Sequence, residues 1–198
     1  MNQSMRVATL FFLVVLAAGC ASAGKSRTSR LTAGDILETA ASVRQSLAND
    51  PWLSGRGNES PPIRLGISEA VNKSNDRLAT SDRWALTALV VYDRSVQSLL
   101  ESRNVRVHLP EETQAMLGRM GIGSDGAPAG AVGGDAPTHV LLADVRSISR
   151  QGSAASSVSD ERYDLYVIDY RVAELTSGRI EWSHAAQVAR RAFGTVAD

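Results

Sequence analysis

Cys20 is the only cysteine in this 198-residue chain, so no disulfide can close within it and no pairing pattern reveals a redox compartment. Charge of one sign is missing too. Lys and Arg number 21 against 21 Asp and Glu, and this balance gives no reason to expect nucleic acid or another polyanion as a partner. No apolar run is long enough to span a bilayer: Val7 to Ala18, broken only by Thr9, offers about twelve residues where a helix needs about 20. Nothing repeats at a fixed period. The three histidines, His108, His139 and His184, show no pair at the short spacing of metal ligands, so neither a metal nor a cofactor is expected. A Ser-His-Asp triad assembles across sequence distance, yet no Gly-x-Ser-x-Gly elbow marks a nucleophile, and the reading is of no catalytic residue.

What is present begins with that cysteine. Arg6 precedes the apolar run, and the small residues Ala17, Ala18 and Gly19 lead directly into Cys20. The run suits the h-region of a signal peptide. The segment resembles a bacterial lipobox, with Ala17 where Leu is usual and Leu16 just before it. The resemblance implies removal of residues 1–19 and attachment of a diacylglyceryl group to the Cys20 thiol. An ordinary secretory signal with a chance cysteine is the alternative. Ala21 rather than Asp follows, which by the same resemblance implies the outer membrane, facing the periplasm. Several acyl chains on one residue anchor firmly where a single chain would not. Residues 20–30 then read as a short tether; ten extended residues reach about 35 Å.

The remainder, 31–198, reads as a single periplasmic α/β domain. A first helix runs through LTAGDILETAASVRQSLAND, opened by Thr32 and Asp35 as a capping box and closed at Asp50-Pro51; Ile36, Leu37, Ala40, Val43 and Leu47 recur at helical spacing. Residues 53–62 are loop, Ile63 to Ser68 a short strand, and Asn72 to Ser81 a polar turn region. Asp82 to Arg103 is expected as one helix with a stripe of Leu86, Leu89, Val90, Val96, Leu99 and Leu100. Val105 to Leu109 alternates as a second strand, and Pro110, Glu111 and Glu112 open a short helix, the two acids favouring its N-terminus. Gly118 to Pro137 is a glycine-rich flexible loop that lacks the Gly-Lys-Ser/Thr close of a phosphate cradle.

Three strands finish the chain. THVLLADVRSIS is expected to turn Val140 and Leu142 inward, with Val145 and Ile148. RYDLYVIDYRVAEL places Tyr166, Ile168, Tyr170 and Val172 on one face, and Tyr163, Leu165, Val167, Asp169 and Arg171 on the other. A tight turn at Thr176-Ser177-Gly178 leads into the last strand, and the short connections predict an antiparallel three-strand meander. The fold class is therefore α/β: one domain, a mixed sheet ending in that meander, helices packed on one face. Asp164 and Asp169 fall on opposite faces of their strand and cannot act as a carboxylate pair. The aromatics Tyr163, Tyr166, Tyr170 and Trp182 read first as sheet core, with an exposed docking patch as the sharper alternative; Trp52 is placed to pack the first helix on the sheet. Arg162, Arg171, Arg179, Arg190 and Arg191 read as solvated charge over the hairpin, or as a docking rim.

The hairpin carries a family resemblance. Leu175, Gly178, Ile180 and Trp182, with the lipobox and a helix opening Leu-Thr-x-x-Asp, resemble the outer-membrane lipoproteins that activate penicillin-binding proteins, the LpoB family. The resemblance touches most of 31–70 and 138–192. It implies a lipid-anchored regulatory module, not an enzyme, that raises the activity of a peptidoglycan synthase by contact. The same turn-and-Trp hairpin also resembles curli-secretion lipoproteins of CsgG type, which would be an assembly role; a hydrolase acting on wall material rests on location alone. No partner-binding residue follows from the family's pattern.

Overall fold

The computed structural model describes residues 29–109, 111–121, 136–152 and 161–193, with the side chains of 151, 152, 161 and 193 left aside. Cys20, most of the tether and the greater part of the glycine-rich stretch, 122–135, lie outside the described residues. The element order is α1 (Ala33–Asn49), α2 (Pro51–Ser54), β1 (Ile63–Ile67), β2 (Val71–Asn72), α3 (Thr80–Val91), α4 (Arg94–Ser102), β3 (Val105–His108), α5 (Glu111–Arg119), β4 (His139–Gly152), β5 (Glu161–Glu174) and β6 (Ile180–Phe193).

Local chemistry sets the helix ends. Thr32 and Asp35 form the expected capping box at α1: the Thr32 hydroxyl accepts from the Asp35 N–H, and the Asp35 carboxylate accepts from the Thr32 N–H at 2.7 Å. Asp50 ends that helix and caps the next, accepting from the Trp52 N–H. Ile36, Ala40, Val43 and Leu47 are buried, whereas Leu37 is 56% exposed. A step of one residue turns a helix about 100°, which carries Leu37 off the stripe that Ile36 and Ala40 define.

The single helix expected over Asp82 to Arg103 is two helices. The apolar spacing continues through the break, but Asp93 at φ −72°, ψ 131° leaves helical geometry and accepts from the Ser95 and Val96 N–H groups, restarting the chain as α4. The Ser95 hydroxyl is the leading cause that holds the Asp93 carboxyl below its ordinary range. Replacing Asp93 by Ala should lower the unfolding free energy by about 1 kcal/mol in urea titration, with the m-value unchanged.

The sheet is mixed, in the order β3-β1-β4-β5-β6, and β2 also pairs with β4. β1 is parallel to β3 and to β4; β4-β5-β6 is the antiparallel meander. The turn after β5 closes as expected, with Gly178 at φ +71° donating its N–H to the Glu174 carbonyl. Helices cover one face. Beneath them lie Leu65, Leu141, Ala143, Val145, Tyr166, Ile168, Tyr170, Val172, Trp182 and Ala186 in one core with α1, α3 and α4.

The inward face of β4 is not the expected one. Leu141 and Ala143 are buried with Val145, while Ile148 is 57% exposed and Val140 and Leu142 are only half-buried. Two adjacent leucines make the alternation ambiguous. Pairing decides it: Leu141 stands opposite Ile67 on one side and Val172 on the other.

Candidate functional site

The face of β4-β5-β6 turned away from the helices carries Leu142, Asp144, Arg146 and Ile148 from β4, Tyr163, Leu165, Val167, Asp169 and Arg171 from β5, and Ala185, Gln187, Ala189 and Arg191 from β6. It is apolar toward the 148–165 end, where Ile148 and Tyr163 are exposed, and charged at its centre. Asp144 and Asp169 are direct cross-strand partners. Two carboxylates so placed repel, and three cations answer them: Lys73 lies 3.1 Å from Asp144, Arg171 also pairs with Asp144, and Arg146 pairs with Asp169. These charges border a cavity of about 360 Å³ that reaches Ser183 and His184. With each carboxylate bound by a cation, the cluster is suited to hold the sheet surface in shape.

The aromatic residues divide between the faces. Tyr166, Tyr170 and Trp182 are buried core, and burial pushes the Tyr170 phenol well above its usual range, its hydroxyl donating to the Leu86 carbonyl at 3.2 Å. Tyr163 alone of the four is exposed, with the Arg191 guanidinium 5.0 Å from its ring centre. Trp52 packs against the core from the start of α2, its ring 6.3 Å from that of His139.

The arginines divide as well. Arg179 stays at the surface with Glu181, and Arg190 reaches Asp35 on α1 at 3.5 Å. Arg162 is not solvated charge. It faces the helices, its Nε 2.9 Å from Asp164 and its guanidinium 3.6 Å from Asp76. The Tyr166 hydroxyl shares its one proton between the same Asp76 carboxylate and the Ser29 carbonyl, the latter at 3.2 Å. Asp164 is 2% exposed. Burial opposes its charge, yet the Ser149 and Ser29 hydroxyls and Arg162 outweigh that and hold its carboxyl below the ordinary range. This network was missed in the sequence, where Asn72 to Ser81 reads as turn. One signal was available: Arg162 and Asp164 share the parity of Tyr166 and Ile168, and so stand on the buried face. Asp169 has the opposite parity, and the two acids do lie on opposite faces as expected.

The histidines are not brought together. His139 and His108 lie two strands apart on opposite faces, paired with Leu65 and Gly66 of β1 respectively. His184 is on β6, 3.3 Å from the Ser42 hydroxyl of α1. Burial is the main cause that lowers the His139 pKa, and its Nδ1 lies 3.0 Å from the Thr138 hydroxyl. Glu111 and Glu112 occupy the first turn of α5, where acids complement the helix dipole. Among the described residues no group of three or more His, Cys, Asp or Glu could hold a metal ion. Among the same residues no helix is long and apolar enough to cross a membrane.

β6 is the outer strand of the sheet, and α1 runs along it. Between them lies a groove of about 540 Å³, lined by Asp35, Glu38, Thr39 and Ser42 of α1 and by residues 184–189 of β6.

No family model and no curated protein matches the chain. Solved structures similar to it include the LpoB C-terminal domain from Escherichia coli, at 12% identity over 74% of this chain and 97% of that one, TM-score 0.35. Lipoprotein GNA1162 from Neisseria meningitidis is similar at 14% identity over 66% and 84%, TM-score 0.33. The PelC dodecamer from Paraburkholderia phytofirmans gives 11% over 68% and 77%, TM-score 0.30. These are distant likenesses, and nothing of what those proteins do passes to this chain through them.

Proposed function

We propose that this chain is a lipid-anchored periplasmic docking module that contacts a penicillin-binding protein and raises its activity, held to the outer membrane through acyl chains on Cys20. The observation that carries the reading is the face of β4-β5-β6 that none of the described helices covers, where Ile148 and Tyr163 stand exposed beside a cluster of five charged side chains, Lys73, Asp144, Arg146, Asp169 and Arg171. An apolar patch bordered by charge is the composition of a protein interface. The lipobox residues Ala17 to Cys20 and the Leu175, Gly178, Ile180, Trp182 hairpin support the address and the partner class.

Two measurements test this. Mass spectrometry of the mature chain should find it beginning at Cys20 with acyl groups; an unmodified start would remove the anchor. Pull-down against the organism's own bifunctional peptidoglycan synthases should recover at least one, and Val167→Glu on the open face should weaken that capture about tenfold or more while the thermal melt is retained. Recovery of none of the synthases would reject the partner.

A further inference from the structure

β6 is a long edge strand. Beyond the one register shift, at Val172/Ala173 near its start, it pairs regularly with β5 to Phe193, and its other side has no strand partner among the described residues. Backbone N–H and C=O groups alternate sides along a strand, so about half of those in 182–193 turn outward. Exposed edges are normally blunted by proline, lysine, a bulge or short length. The segment His184 to Ala189, HAAQVA, has none of these devices, and the flanking helix α1 leaves a groove along it.

This same segment forms one wall of the groove under α1. The other wall is fixed in place by the Asp35–Arg190 and Ser42–His184 contacts, one toward each end. A free strand edge facing the flank of a helix is a geometry that accepts an added strand, with main-chain hydrogen bonds for affinity and alternate side chains for selectivity. Six residues of edge accommodate about 20 Å of extended chain.

Charge distinguishes between possible occupants. Among the described residues no Lys or Arg lines the groove, Asp35 is engaged by Arg190, and the Glu38 carboxylate has no ion-pair partner. Two copies joined edge to edge through β6 would be related by a two-fold, which sets each acidic α1 flank against its own image. A strand bearing a cation meets no such penalty. We propose that the groove between α1 and β6 binds an extended segment of another polypeptide as an additional strand, with a Lys or Arg of that segment facing Glu38. The groove adjoins the open sheet face and shares Ala185, Gln187 and Ala189 with it, but the ladder proposed here runs along the outer edge of β6 and does not rest on what docks on that face.

Two synthetic peptides test it on the full chain purified in detergent: Lys-Val-Thr-Val-Lys-Val-Thr-Val-Lys and the same sequence with Glu for Lys. The basic peptide should slow amide hydrogen exchange in 182–193 about tenfold or more, and at low salt should bind about tenfold tighter than the acidic one. Glu38→Lys should reverse the order. N-methylation of alternate peptide bonds should abolish binding, since it removes the donors of the added ladder. The proposal is overturned if β6 gains no protection, if the N-methylated peptide binds undiminished, if Glu38→Lys leaves the preference unchanged, or if light scattering shows a peptide-free dimer already protected at β6.

Discussion

Replacing Ile168 by alanine should lower the unfolding free energy by about 2–5 kcal/mol, as expected for emptying a packed core site. Ile168 is fully buried at the centre of β5, between Val145 of β4 and Ala186 of β6 and beneath the helices. Ala186 is already small, so the neighbours have little bulk with which to fill the space. The companion substitution, Ile148→Ala, removes the same atoms from a side chain that is 57% exposed on the other face of β4. It should change stability by no more than about 0.5 kcal/mol. Guanidinium unfolding of the two variants therefore reads out which face of the meander is core. Equal losses would place Ile148 in the core alongside Ile168.

The second large effect is at Asp164. Asp164→Ala should cost about 3 kcal/mol, because it takes from the largely buried Arg162 guanidinium its nearer carboxylate, at 2.9 Å, where Asp76 stands at 3.6 Å. The penalty is one of broken pairing, so replacing Arg162 and Asp164 together by apolar residues should cost less than Asp164→Ala alone. The pH dependence has a definite sign. The Asp164 pKa is lowered in the folded chain, so its contribution is present above the unfolded carboxylate value of about 4 and is lost as pH falls through the lower folded value. Acid unfolding of Asp164→Asn should accordingly show a shallower loss of stability below about pH 4 than the parent chain. An identical acid limb in both would show that Asp164 carries no linked proton.

The proposed anchoring at Cys20 would give this network a mechanical consequence. Ser29 is 2% exposed and its carbonyl accepts from Tyr166, just before the cap of α1 at Thr32. Force arriving along a tether ending there would meet β5 before it reached the helix.

How far each feature was legible in the sequence follows from the range of the interactions behind it. The capping box of α1, the turn at Gly178 and the alternation of β5 all depend on residues within a few positions of one another, and each was read correctly. The stop at Asp93 was also local, but the apolar stripe running through it gave the stronger pattern and concealed it. The inward face of β4 could not be read, because Leu141 and Leu142 are equally apolar and only Ile67 and Val172 choose between them.

The same division holds for the sites. Composition and spacing alone determined that this is an α/β chain closing in a three-strand meander, since period and turn chemistry are properties of short stretches. Tertiary structure alone decided the order β3-β1-β4-β5-β6, the meeting of Arg162 and Tyr166 with Asp76, and the groove that α1 makes along the free edge of β6. Those depend on contacts such as that of Tyr166 with Asp76, 90 residues away, and no local pattern of side chains encodes which distant partner will be there when the chain collapses.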